Sequence, residues 1–78
     1  MPHVIIKMYP GRSEEQKEQL VKAITKSVMD ITIAPERVVS IAIEEIAPEE
    51  WPEKVYRPDI LDKQGTIYKE PGYNPFSK

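Results

Sequence analysis

Pro2, Arg12 and Trp51 are the residues whose types and spacing could carry chemistry in this chain. Small second residues permit removal of an initiator methionine, and loss of Met1 would turn Pro2 into a secondary amine. An ordinary α-amine has a reference pKa of about 7.7–8.0, and a free prolyl amine lies higher. An apolar surround disfavours the ammonium and lowers that value, and a neighbouring arginine pushes the same way. An amine tuned near neutrality can take a proton from one carbon and return it to another. The same neutral amine can instead attack a carbonyl to form an iminium, or activate water for addition to an alkene. Proline is also tolerated at a first strand position for purely structural reasons, so its placement alone assigns no role.

Arg12 follows the Pro10-Gly11 turn, where a planar guanidinium could hold a substrate carboxylate or simply face solvent. Trp51, between Pro48 and Pro52, could wall an apolar pocket that dries the amine. Equally, it could anchor the C-terminal segment in a core short of aromatic residues. Other signatures are missing. Glycines at 11, 65 and 72 make no phosphate-cradling loop, and His3 is the sole histidine, without a nucleophile-elbow sequence. The chain has no cysteine, which removes disulfides and thiolate metal sites, and a single histidine rules out a His-rich metal cluster. The acidic pairs Glu44-Glu45 and Glu49-Glu50 read as solvated faces.

These residues need elements to position them. Residues 3 to 9 read as a strand from their β-branched content, ended by Pro10-Gly11. Ser13 and Gln16 form a capping-box pattern, with Glu14 and Glu15 at the positive end of the helix dipole. A helix to about Ile31 follows, its apolar stripe formed by Leu20, Val21, Ile24, Val28 and Ile31. Met29 falls outside the stripe and reads as a contact with a partner subunit. Ala34-Pro35 ends the helix. Val39 to Glu44 then alternates, with Val39, Ile41 and Ile43 on one face and Ser40, Ala42 and Glu44 on the other. Strand, helix, strand is a βαβ unit, whose crossover makes the strands parallel and almost always right-handed.

Beyond Glu45, prolines at 52, 58, 71 and 75 argue against long regular elements. Short helical turns are expected near 52–56 and 58–64, with Gly65 as a stop and a brief strand at 66–68. The 78 residues read as one α/β domain, with a core at 2–46 and a C-terminal segment at 47–78. A chain this short buries little surface alone, and a two-stranded sheet is marginal in water. Association with further copies is therefore expected, which makes an active site at a subunit boundary plausible. The net charge of −2, with basic residues spread singly, leaves no footprint for nucleic acid. No run approaches the roughly 20 apolar residues of a membrane span, and no signal-peptide pattern opens the chain. A cytoplasmic location is the expectation.

Pro2, Gly11-Arg12-Ser13, Glu15-Gln16-Lys17, Ala34-Pro35, the apolar positions 39, 41 and 43, and Trp51 together resemble the 4-oxalocrotonate tautomerase family. The likeness covers residues 2 to about 51. It implies a cofactor-independent isomerase of β-α-β protomers acting on a small 2-oxo or 2-hydroxy unsaturated acid. By this resemblance Pro2 would be the general base, Arg12 would hold or polarise the substrate's carboxylate end, and Trp51 would line the pocket. Ser40 stands where the family carries a second arginine, which leaves Arg37 and Arg57 as possible replacements. The longer C-terminal segment is similar to a bacterial subgroup that forms dimers, so a homodimer is expected, with a homohexamer as the alternative.

Overall fold

Ser13 starts the helix on which the first part of the fold is built. In this computed structural model, which describes residues 1–77, helix α1 spans Glu14–Thr32. Ser13 Oγ accepts the Gln16 N–H at 3.1 Å, and Gln16 Oε1 accepts the Ser13 N–H at 2.9 Å. Two otherwise orphaned donors are thereby satisfied. Strands β1 (His3–Met8) and β2 (Ser40–Glu45) flank the helix in sequence. They pair in parallel, His3 opposite Ser40 through Met8 opposite Glu45. The expected βαβ layout is the observed one.

The register assigns the two faces of the sheet. Val4, Ile6, Ile41 and Ile43 share the α1 side, while His3, Ile5, Ser40 and Ala42 share the other. Ile5 is 52% exposed, so that second face presents an apolar side chain to solvent. Among the described residues of this unit none is fully buried.

At its C-terminal end α1 differs from expectation. Its 19 residues run about 28 Å at 1.5 Å each, whereas each six-residue strand runs about 20 Å. The helix outlasts the sheet, and Ile31, expected to close the apolar stripe, is 80% exposed. Met29, by contrast, is half-buried and borders a groove with Val21, Thr25 and Val39. It lies one and two turns from Thr25 and Val21, on their side of the helix.

The chain leaves α1 through a six-to-one hydrogen bond from the Ala34 N–H to the Met29 carbonyl at 3.3 Å. This Schellman-type closure requires a left-handed residue before Ala34. That residue is Ile33, at φ 57° and ψ 53°, the one non-glycine with positive φ among the described residues. Pro35 follows, and a 3-10 turn at Glu36–Val38 leads into β2. At the other end of the sheet, Gly11 has φ 119°, a value that favours glycine.

Residues from Ile46 onward form a second compact unit, distinct from Met1–Glu45. A 3-10 turn at Pro48–Glu50 precedes a nine-residue π-helix at Pro52–Ile60 and a 3-10 segment at Leu61–Thr66. The wound segment is longer and more continuous than the prolines suggested. Pro52 stands at the first turn, where its missing N–H is not needed. Pro58 lies inside, where the wider π spacing eases the collision of its ring with the carbonyl four residues back. The strand expected at 66–68 does not form, and the Tyr68 side chain is fully exposed. Val55 and Tyr56 are the buried residues of this unit among those described, Tyr56 packing on Tyr73 at 5.5 Å and Phe76 at 5.9 Å between ring centres. Among the described residues no helix is long and apolar enough to cross a membrane.

Candidate active site

Pro2 enters β1 half-buried, and its carbonyl accepts the Ser40 N–H at 3.2 Å. That bond extends the parallel pairing by one step and fixes the start of β1 against β2. Pro2 lines an open depression of about 630 Å³ together with Met1, Ile33, Pro35, Arg37 and Val38. Met1 is 98% exposed, so the bond that would free the Pro2 amine lies in solvent. The α1 exit turn therefore stands beside the proline, bringing an apolar rim and one guanidinium with it.

Ser40 is a pairing neighbour of Pro2 in backbone terms but not in side-chain terms. Its hydroxyl shares a 2.6 Å hydrogen bond with His3 Nδ1 on the sheet face away from α1. The sequence reading gave His3 no part in the site. Aligning the apolar alternation of the two strands, Val4 and Ile6 against Ile41 and Ile43, would have placed it opposite Ser40.

Arg12 lies at the far end of the same strand. Six steps of extended chain from Pro2 to Met8 span about 20 Å at roughly 3.3 Å each. The length of β1 therefore lies between Arg12 and the Pro2 of its own chain. Arg12 is exposed and makes no hydrogen bond or ion pair among the described residues. Nearby, Lys17 bridges Glu14 at 2.9 Å and Glu45 at 3.3 Å, joining the first turn of α1 to the end of β2. The Glu14 hydrogen bond, then that of Glu45, raises the Lys17 ammonium above its ordinary value.

Trp51 belongs to the second unit. Its indole N–H donates to Tyr73 Oη at 2.7 Å, while Tyr56 Oη donates to the Tyr73 carbonyl at 3.2 Å. These bonds tie the C-terminal segment to the wound one. Arg57 is paired there: Nε donates to Glu53 at 2.9 Å, a second nitrogen donates at 3.3 Å, and the guanidinium lies 4.4 Å from the centre of the Phe76 ring. The Glu53 hydrogen bond raises the Arg57 value, and the same bond lowers that of Glu53. Arg37, by contrast, has no side-chain partner among the described residues. No cluster of three or more His, Asp or Glu side chains is grouped to hold a metal among the described residues.

A family model described as tautomerase enzyme matches residues 2–53, beginning on the proline. A protein described as a probable tautomerase from Xylella fastidiosa is 36% identical over 73 residues, covering 94% of this chain and 89% of that protein. Tautomerase PptA of Cronobacter sakazakii is 31% identical over 74 residues, covering 94% and 97%. Among solved structures, a heterohexameric 4-oxalocrotonate tautomerase from Chloroflexus aurantiacus superposes with a TM-score of 0.64 at 31% identity, over 69% of this chain and 87% of that one. YwhB, a homologue of 4-oxalocrotonate tautomerase, gives 0.58 at 41% identity over 59% and 75%. Likeness to tautomerases along nearly the whole chain supports an isomerase-type function. With its parallel βαβ unit and a model match that starts at Pro2, the chain belongs to the 4-oxalocrotonate tautomerase family.

Proposed function

We propose that this protein is a cofactor-independent tautomerase in which Pro2, freed of Met1, moves a proton within a small 2-oxo or 2-hydroxy unsaturated acid. The observation that carries this reading is the half-buried Pro2 at an open depression, beneath a Met1 exposed for removal. In the enol-to-keto direction, the neutral Pro2 nitrogen takes the proton of the 2-hydroxyl. The oxygen lone pair forms the C2=O bond, the double-bond electrons move to carbon, and the prolyl ammonium returns the proton there. One proton leaves oxygen and one reaches carbon, so the step balances without a cofactor.

Arg12 holds or polarises the substrate's carboxylate end, supplied by a neighbouring copy because about 20 Å of strand separates it from Pro2 of its own chain. The exposed Ile5 and a sheet of only two strands support such an assembly. We take it to be a homodimer, with a homohexamer as the alternative, and Trp51 to line the completed pocket. Mass spectrometry of the purified protein should find Met1 absent. A Pro2→Ala variant should lose tautomerisation of a phenylpyruvate-type enol by about 100-fold or more, the scale of a lost general base. The ascending limb of the pH–rate profile should lie below the pKa of a free prolyl amine and vanish in the variant. Full activity in Pro2→Ala would sink the mechanism.

A further inference from the structure

Arg37 is the guanidinium that lines the depression with Pro2. Arg57 is committed to Glu53 and Phe76 in the second unit, and Arg12 is a strand's length away. Ser40, where the family resemblance led one to look for a second cation, does not line the depression, and its hydroxyl is taken by His3. Arg37 has five N–H donors and no side-chain partner among the described residues, so a ligand anion need displace nothing to reach it.

The depression is also shaped on its apolar side. Ile33 is 85% exposed and sits in a left-handed conformation that a β-branched residue adopts only under constraint. Glycine or asparagine is the usual occupant of such a helix-ending position. An isoleucine there, bordering the depression with Pro35 and Val38, sets branched carbon across from the arginine.

We propose that Arg37 is a substrate-binding residue, taking the carboxylate next to the reacting carbons together with Arg12 of a neighbouring copy, and that Ile33 and Val38 receive the substrate's apolar substituent. The ligand class is an amphiphilic 2-oxo monocarboxylate. The planar fork of the guanidinium matches the carboxylate, and the rim offers carbon to its other end. This deepens the reading of Pro2 as the reacting amine and rests on it for the substrate's orientation, but its test requires no reaction.

Phenylglyoxylate carries a 2-oxo carboxylate and an aromatic ring but no enolisable hydrogen, and its methyl ester removes only the charge. Titration calorimetry on the Met1-free full chain should give saturable binding of phenylglyoxylate. Arg37→Gln should weaken it at least tenfold, Arg37→Lys should fall between, and the ester should bind wild type and Arg37→Gln alike. Arg57→Gln should leave binding of the acid unchanged. Absence of binding to wild type, equal binding by Arg37→Gln, or equal losses for acid and ester would each overturn the assignment of Arg37. Activity retained by Pro2→Ala would instead overturn the base while leaving these affinities as they stand.

Discussion

Replacing Ile33 by glycine should stabilise the protein, although it removes four carbon atoms of side chain. Three effects compete. A side chain in the left-handed region costs about 1–2 kcal/mol, and glycine removes that. Glycine gives the unfolded chain more freedom, which offsets about 0.5–1 kcal/mol. Burial of a whole isoleucine side chain is worth about 1.5–3 kcal/mol. Ile33 is 85% exposed, so only about 0.2–0.5 kcal/mol of that is lost. The balance is a gain of about 0.5 kcal/mol, read as a higher urea midpoint at fixed protomer concentration. Ile31 is the control: it is 80% exposed, two residues earlier, and inside α1 with helical geometry. There glycine has no strain to relieve, and its poor helix propensity should cost about 0.5 kcal/mol. Two exposed isoleucines should therefore respond with opposite signs. If Ile33→Gly lowers the midpoint as Ile31→Gly does, the strain at the helix exit is not what we infer.

Tyr73→Phe removes the acceptor of the Trp51 indole but keeps the ring against Tyr56 and the carbonyl that Tyr56 uses. A loss of about 1 kcal/mol is expected, reported by the emission of Trp51, the only tryptophan in the chain. Glu53, held below its ordinary value of 4.5 by Arg57, contributes stability at higher pH that is lost as pH falls through its depressed value. Lys17, raised above 10.5 by Glu14 and Glu45, contributes stability that is lost only as pH rises past its raised value. Glu53→Gln should flatten the acid limb of a urea-midpoint profile and Lys17→Met the alkaline limb. Glu53 and Arg57, and the carboxylates that Lys17 bridges, meet solvent, so each change should be smaller than that of Tyr73→Phe, and a larger one would contradict that exposure.

What was legible in the sequence is what neighbouring residues decide. The capping box of Ser13 and Gln16 needs only a three-residue spacing, and the alternation in each strand needs only period two. The elements that escaped depend on longer-range or less common geometry. Ile33 carries no turn signature, because a β-branched residue is a poor occupant of the left-handed region. Its conformation is imposed by the Ala34-to-Met29 bond. Pro58 reads as a helix breaker for an α-helix, whereas the segment that contains it is wound as a π-helix. Ile31 continues the periodic stripe, but periodicity cannot say where the underlying sheet ends.

The same distinction separates the parts of the site. Pro2 and Arg12 stand out by type and position along the chain, yet an extended strand of about 20 Å lies between them. Arg37 stands out by neither. It reaches Pro2 because α1 ends in a tight six-to-one turn and Pro35 redirects the chain across the start of the sheet. A residue in the loop after a helix acquires a role through how that helix ends. The strain carried by Ile33 is then intelligible as part of the binding surface. Glycine at 33 would favour the fold and take branched carbon from the rim. The stabilised Ile33→Gly protein should accordingly bind phenylglyoxylate more weakly than wild type, and a variant gaining both stability and affinity would break the link between the helix exit and the site.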